Sequence, residues 1–133
     1  MLRLRERDGD EGSATLEIAI LGPALLLLIF AIVQTALWFY ARNLALAAAQ
    51  EGADAARSYG SSPAAGVNRA QSFLDRSAGD SLQDTMVTSS GSTATTVHIS
   101  VTGHALSVLP GVPGFSVEQS ASAPVERFTG GAP

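Results

Sequence analysis

The chain is short, acidic and moderately apolar. It has 133 residues, a formal net charge of −4 and 46% hydrophobic residues, which is enough for one small domain but not for two. It contains no cysteine, which excludes disulfide bonds, thiolate metal sites and a cysteine nucleophile. The negative charge gives no indication of a nucleic-acid partner.

A long uncharged run follows a short, charged leader. Residues 1–12 are hydrophilic, and the 24 residues 18–41, between Glu17 and Arg42, carry no charge. At about 1.5 Å per helical residue this run covers roughly 36 Å, more than the ~30 Å hydrocarbon core of a bilayer. It also exceeds the about 7–15 apolar residues of a cleavable signal, although ALAAA at residues 45–49 would pass as a cleavage site.

The composition of the run favours a membrane span over a buried core helix. A soluble core helix would carry polar residues at helical spacing, whereas only Gln34 and Thr35 interrupt this run. LWFY at residues 37–40 puts three aromatic residues beside Arg42, as expected for an interfacial belt. We therefore predict one membrane-spanning helix whose far surface lies at residues 38–42.

The arginines indicate the orientation of this span. Arg3, Arg5 and Arg7 crowd the first seven residues, while Arg42 and Arg57 follow the run. Because cytoplasmic flanks carry the excess of basic residues, we predict a cytoplasmic N-terminus in a single-pass protein of the cell membrane. The Ser/Thr-rich remainder of the chain would then be extracytoplasmic.

The helix is predicted to continue beyond the membrane as a stalk. Residues 41–59 consist mostly of strong helix formers, and small residues recur among them at steps of three or four. Alanine-rich composition alone favours a helix here, but a stripe of small side chains also allows close approach of another helix. GSSPAAG at residues 60–66 ends the stalk with turn residues. The stripe consists of Ala41, Ala45, Ala49, Gly52 and Ala56.

The remainder is predicted to form a small head. Residues 67–79 fit a short helix, and the alternation of Val97, Ile99 and Val101 in residues 95–102 predicts a strand with one buried face. Residues 84–89 and 115–125 are two further predicted strands. The second of these has Gln119 as a misfit in its apolar face, which is otherwise Phe115, Val117, Ala121, Ala123 and Val125.

These elements predict an α+β fold in three parts. They are a leader at residues 1–12, a transmembrane helix and stalk at 13–59, and an extracytoplasmic head at 60–133 with a short helix and a few antiparallel strands. The head has few large apolar side chains, so we expect it to pack against the helix that emerges from the membrane.

The chain offers little chemistry. It has no nucleophile elbow, glycine-rich dinucleotide or phosphate loop, or zinc-protease motif. His98 and His104 are the only imidazoles, and a polar surface role is the simpler interpretation of both. We predict a protein that is not an enzyme, with no metal, no cofactor and no small-molecule substrate.

Glu17 raises a separate question, because an ionisable group near hydrocarbon is costly unless it is paired. Cleavage after Gly12 would leave Ser13 as a new N-terminus whose ammonium group lies four residues from Glu17. In a filament of parallel helices that ammonium of one subunit would meet the carboxylate of a neighbour. The simpler alternative is that Glu17 interacts favourably with the helix N-terminus, worth about 0.3–1 kcal/mol.

Pro23 lies inside the predicted span, directly after Gly22. Proline has no N–H to donate to the carbonyl of Ala19, so Gly22 and Pro23 are expected to bend or loosen the helix. Such a bend would help extraction of the helix into a filament. A kink that the membrane helix merely tolerates is the alternative.

The spacing of Gly12 and Glu17 before an apolar span resembles the processing site of type IV prepilins. Residues 17–57 are similar to TadE-like proteins of the tight-adherence (Flp) pilus system, including Pro23 and the AAQEGADAAR stretch. The resemblance implies a pseudopilin or minor pilin, cleaved by a prepilin peptidase and associated with other pilin-like subunits and a pilus assembly platform.

Two positions depart from this pattern. Gln34 stands where many relatives carry a second acidic residue, and Ile18 stands where the much shorter major Flp pilins usually have tyrosine. The main filament subunit is therefore a less fitting identity than a minor one. The alternative function is an extracytoplasmic binding module or adhesin held by an uncleaved anchor, and a membrane-tethered hydrolase ranks third because a nucleophile constellation is missing.

Overall fold

The structure, a computed structural model, describes residues 8–127. It divides into two compact units, Met1–Val33 and Gln34–Pro133. The first helix, α1, is Asp8–Arg57 and contributes to both units. The predicted head, residues 60–133, is therefore only part of the second unit, which also contains the last 24 residues of α1.

The first unit holds an exposed, apolar length of α1. From Gly12 to Val33 every residue is exposed except the half-buried Phe30. Among the described residues, this is the one helix that is long and apolar enough to cross a membrane. The helix is uninterrupted at Pro23, so the structure contains no break there, and the bend expected at Gly22 and Pro23 stays a prediction.

The second unit is a helical layer on a three-stranded sheet. The end of α1 is followed by α2, Pro63–Ser77, and by an antiparallel sheet in the order β1-β2-β3. The predicted α+β fold, with a long N-terminal helix, a short helix and antiparallel strands, is confirmed. The strands are β1, Leu82–Thr88, β2, Thr96–Ala105, and β3, Ser116–Pro124.

Helix α2 begins earlier than its apolar pattern indicates. The sequence predicts a start at Val67, but the helix starts at Pro63. The hydroxyl oxygen of Ser62 accepts a hydrogen bond from the N–H of Ala65 at 3.2 Å, and proline is well suited to the first helical position because it needs no acceptor there. The turn residues 60–66 thus include the N-cap and first turn of α2.

The sheet buries one face against the helices. Val97, Ile99 and Val101 of β2 are almost fully buried, as their alternation predicts. The β1–β2 pairing has an irregularity between Gln83 and Met86, and Asp84 within it has a positive φ of 51°.

The prediction that Phe115 belongs to the apolar face of β3 is wrong. The β2–β3 ladder pairs His104 with Ser116 at its last position, and β3 itself begins at Ser116. Phe115 therefore precedes the strand and lies beyond the core, and it is 54% exposed. Gln119, the misfit in the pattern, is half-buried.

Alanines dominate the core of the second unit. Their small side chains let the backbones of α1, α2 and the sheet approach closely, so a head with few large apolar residues still excludes water. Six of the fifteen buried apolar residues in the described part of the chain belong to α1. These six are Ala41, Ala45, Ala48, Ala49, Ala53 and Ala56.

Candidate functional site

The predicted processing site lies near the start of α1. Gly12 and Ser13 are exposed residues of this helix, and a Cβ added at Gly12 would have no atom within 4 Å. The bond between Gly12 and Ser13 lies within the described part of α1. Glycine lowers helix stability by up to about 1 kcal/mol relative to alanine, which favours local opening at this position.

Glu17 is exposed on α1, one turn beyond Ser13. Among the described residues no ion pair involves Glu17. Gly22 and Pro23 follow on the same helix and are also exposed. The structure therefore places Gly12, Ser13, Glu17, Gly22 and Pro23 along one exposed length of helix and does not gather them into a pocket.

The small-residue stripe lies in the core of the second unit. Ala45, Ala49 and Ala56 are fully or almost fully buried, and Gly52 is buried between them. A Cβ built on Gly52 would stand 2.7 Å from the carbonyl oxygen of Gly66 in α2. The helix that the stripe approaches so closely at Gly52 is α2 of the same chain.

A reciprocal contact tightens this crossing. A Cβ built on Gly66 would stand 2.6 Å from both the carbonyl oxygen of Gly52 and the Cβ of Ala56. Beside the crossing, the Nε of Arg69 lies 3.2 Å from a carboxylate oxygen of Glu51. The two helices therefore cross at a glycine of each helix, and the exposed ion pair of Glu51 and Arg69 lies beside the contact.

Gln34 is a site residue that the sequence analysis missed. It is 3% exposed, and its side-chain Nε2 donates to the carbonyl oxygen of Leu106 at 3.1 Å. Its Oε1 accepts a hydrogen bond from the N–H of Val108 at 3.0 Å. Burying an amide group without hydrogen-bond partners costs several kcal/mol. A single amide side chain within a 24-residue apolar run therefore indicates a residue with specific partners, and this was the signal in the sequence.

Trp38 makes the next contact along α1. Its indole N–H donates to the carbonyl oxygen of Ser116 at 3.3 Å, and the guanidinium of Arg42 lies 5.6 Å from its ring centre. Gln34 and Trp38 both lie in the run of residues 18–41 that was predicted to lie in the membrane. These two residues pack on the β2–β3 loop and the start of β3, and the far surface of the span at residues 38–42 stays a prediction.

The two histidines have ordinary surface contacts. The Nδ1 of His98 lies 2.8 Å from the hydroxyl of Ser122, its cross-strand neighbour. The Nδ1 of His104 lies 3.9 Å from a carboxylate oxygen of Asp84, and both side chains are exposed. Within the described range, no group of three or more His, Asp or Glu side chains could hold a metal ion.

Comparison with known families gives one finding. Residues 12–54 match the family model described as TadE-like protein. This is the family that the sequence resembles, and the resemblance is confirmed over that segment. The match starts at Gly12 and ends within α1, so it covers the exposed apolar helix and most of the small-residue stripe. No curated protein and no solved structure matches the chain significantly.

Proposed function

From the TadE-like match over residues 12–54 we infer that the chain is a pilin-like membrane protein, a pseudopilin or minor pilin, of a Tad (Flp) pilus system. A TadE-like match indicates a pilus-associated protein of a structural, non-enzymatic kind. The observation that carries the proposal is that one matched segment joins Gly12, Glu17 and an exposed apolar helix. In this proposal a prepilin peptidase cleaves after Gly12 on the cytoplasmic side, and the mature protein joins other pilin-like subunits at the assembly platform.

The contacts of Gln34 support a membrane span that lies nearer the N-terminus than residues 18–41. If the second unit stays outside the hydrocarbon, the span ends near Val33. The 16 residues 18–33 cover only about 24 Å of helix, less than the ~30 Å of a bilayer core. About 20 residues are needed, so the span starts near Ala14 and includes Glu17.

This placement increases the need for a partner of Glu17. A carboxylate inside the hydrocarbon is costly unless it is neutralised or paired. Cleavage creates an ammonium group on Ser13, one helical turn away, and parallel packing of mature helices brings the ammonium of one subunit to the carboxylate of the next. The proposal therefore links processing to assembly, since the uncleaved chain has no such cation at Ser13.

The experiment that tests this function is processing in cells. The chain is expressed with and without a prepilin peptidase, and the membrane protein is examined by intact mass and N-terminal sequencing. Mature protein should start at Ser13 only when the peptidase is present. Gly12→Leu should block cleavage, because a bulky side chain hinders entry of the backbone into a protease cleft.

Gly22→Leu is the matched control for Gly12→Leu. Gly22 is likewise a glycine of α1 with no atom within 4 Å of its Cβ position, so both variants add the same apolar side chain to an exposed helix. Only Gly12→Leu should prevent processing. A stable product in the native host that retains residues 1–12 would contradict the proposal and favour an adhesin held by an uncleaved anchor.

A further inference from the structure

The loop between β2 and β3 is apolar and its second half is largely exposed. This loop, residues 106–115, has the sequence LSVLPGVPGF and contains no charged residue. Leu106, Val108 and Leu109 are half-buried, but Val112 is 43% exposed and Phe115 is 54% exposed. A solvated loop of a small acidic protein is ordinarily polar, so this composition needs a reason.

Hydrogen bonds hold the loop in a defined shape. The N–H of Ala105 donates to the carbonyl oxygen of Phe115 at 2.9 Å and closes its base, and the N–H of Val112 donates to the carbonyl oxygen of Leu109 at 3.3 Å. Pro110 and Pro113 have no N–H, so they leave no donor to be satisfied. The backbone can therefore enter a poorly hydrated environment at reduced cost.

Glycine makes the base of the loop possible. A Cβ added at Gly114 would collide with the carbonyl oxygen of Ala105. Gly111 has a φ of 72°, a conformation that favours glycine, and it forms part of the tip of the loop. The conformation of the loop, with its exposed apolar tip, therefore depends on glycine at these two positions.

The loop is fixed at the end of the second unit that follows the span in the chain. Gln34, the first residue of that unit, binds the backbone of Leu106 and Val108, and Trp38 binds the backbone of Ser116 directly after the loop. Two further aromatic residues at this level of α1, Phe39 and Tyr40, are 51% and 50% exposed.

We propose that the 106–115 loop lies in the membrane interface and, with the aromatic residues of α1, seats the second unit on the lipid surface. The proposal rests on the proposed function only in requiring that α1 spans the membrane and that the span ends near Val33. Lipid is the occupant that fits, because the loop is uncharged and apolar and is held to the residue that follows the span. Trp38 and Tyr40 are residue types that favour the boundary between headgroups and acyl chains.

The test uses nitroxide labels on the full chain in vesicles of phosphatidylcholine and phosphatidylglycerol. Because the chain has no native cysteine, single cysteines can be introduced at Leu26, Ser90 and Val112. Oxygen concentrates in lipid and a charge-neutral nickel chelate in water, so the ratio of their collision rates with each label reports depth. Ser90 is an exposed control in the β1–β2 turn, at the other end of the roughly 30 Å long β2.

The expected ratio is high at Leu26, intermediate at Val112 and low at Ser90. A ratio at Val112 equal to that at Ser90, with Leu26 in lipid, overturns this inference and leaves the proposed span intact. Protection of Val112 from both reagents overturns it in favour of a protein partner, such as a second copy of this chain. A low ratio at Leu26 overturns the span and the inference together.

The single tryptophan gives an independent readout that needs no label. Trp38 fluorescence should be quenched by lipids brominated near the headgroup more than by lipids brominated near the chain end. Val112→Asp should reduce that quenching, because a carboxylate at the tip disfavours insertion, whereas Ser90→Asp should leave it unchanged. Equal quenching in the two variants would contradict a role of the loop in seating the protein.

Discussion

The side-chain Oε1 of Gln34 accepts a hydrogen bond from the N–H of Val108, 74 residues further along the chain, at 3.0 Å. This contact fixes the β2–β3 loop on α1 at the first residue of the second unit. The proposed end of the membrane span near Val33 rests on this contact.

Gln34→Leu should destabilise the second unit by about 2–3 kcal/mol. The substitution keeps the size and adds apolar surface, but it leaves the carbonyl of Leu106 and the N–H of Val108 without their partner, and each unsatisfied group costs about 1–3 kcal/mol when buried. The measurement is urea unfolding in detergent micelles, followed by the fluorescence of Trp38.

Gln50→Leu is the control for that prediction. Gln50 is an exposed residue of the same helix, and the same change there should shift the midpoint little. Equal shifts for the two variants would mean that the amide of Gln34 contributes no specific stabilisation. The comparison must use the same detergent, since both variants add apolar surface to α1.

Local patterns predicted the sheet well. The alternation of Val97, Ile99 and Val101 identified β2 and its buried face, because side chains of a strand point to opposite faces in turn. The same rule failed at Phe115, since the end of a strand depends on its neighbour's hydrogen bonds and not on its own pattern. The apolar pattern did not show the start of α2 at Pro63, because the N-cap and first turn of this helix consist of residues that are also typical of turns.

Long-range contacts were beyond the sequence patterns. The stripe that includes Gly52 indicated a close approach, but the spacing is the same whether the partner is a neighbouring subunit or α2 of this chain. The sequence is equally consistent with Gln34 as a polar residue that faces lipid, because the hydrogen-bond partners of its side chain lie 72 and 74 positions away. The predicted roles of Gly12, Ser13 and Glu17 depend on other molecules and stay predictions.

Gly52→Ala should destabilise the second unit although alanine is the better helix former. The propensity gain is about 1 kcal/mol. The new Cβ would lie 2.7 Å from the carbonyl oxygen of Gly66 and 3.0 Å from the Cβ of Ala70, and overpacking of this kind costs about 1–3 kcal/mol. We expect a net loss of up to about 2 kcal/mol in the same urea measurement.

Gly22→Ala is the matched control, since no atom lies within 4 Å of its Cβ position. It should leave unfolding of the second unit unchanged. A Gly52→Ala protein more stable than wild type would show that α1 and α2 can separate slightly at no cost, and would remove close approach as the reason for glycine at this position.

A fragment that starts at Gln34 should fold, whereas one that starts at Gly60 should not. The shorter fragment lacks six of the fifteen buried apolar residues of the described chain, and it exposes the faces of α2 and the sheet that they cover. Urea unfolding followed by circular dichroism should be cooperative only for the longer fragment. Cooperative unfolding of both fragments with equal midpoints would show that residues 60–133 are an autonomous domain.

Glu17→Gln should leave membrane insertion and cleavage intact but impair association with other pilin-like subunits. The amide keeps the shape of the side chain and removes its charge, so the ammonium of a neighbour's Ser13 would be left buried without a carboxylate, a loss of about 3–5 kcal/mol for a buried pair. A cap at the helix N-terminus would be worth only about 0.3–1 kcal/mol, too little to prevent assembly. Disulfide crosslinking between cysteines introduced at Ser13 and Ile20 measures this association in cells that make the pilus, and Glu11→Gln, in the leader that cleavage would remove, is the control. Unchanged crosslinking and normal pili in Glu17→Gln cells would leave Glu17 as a helix cap and remove the proposed link between processing and assembly.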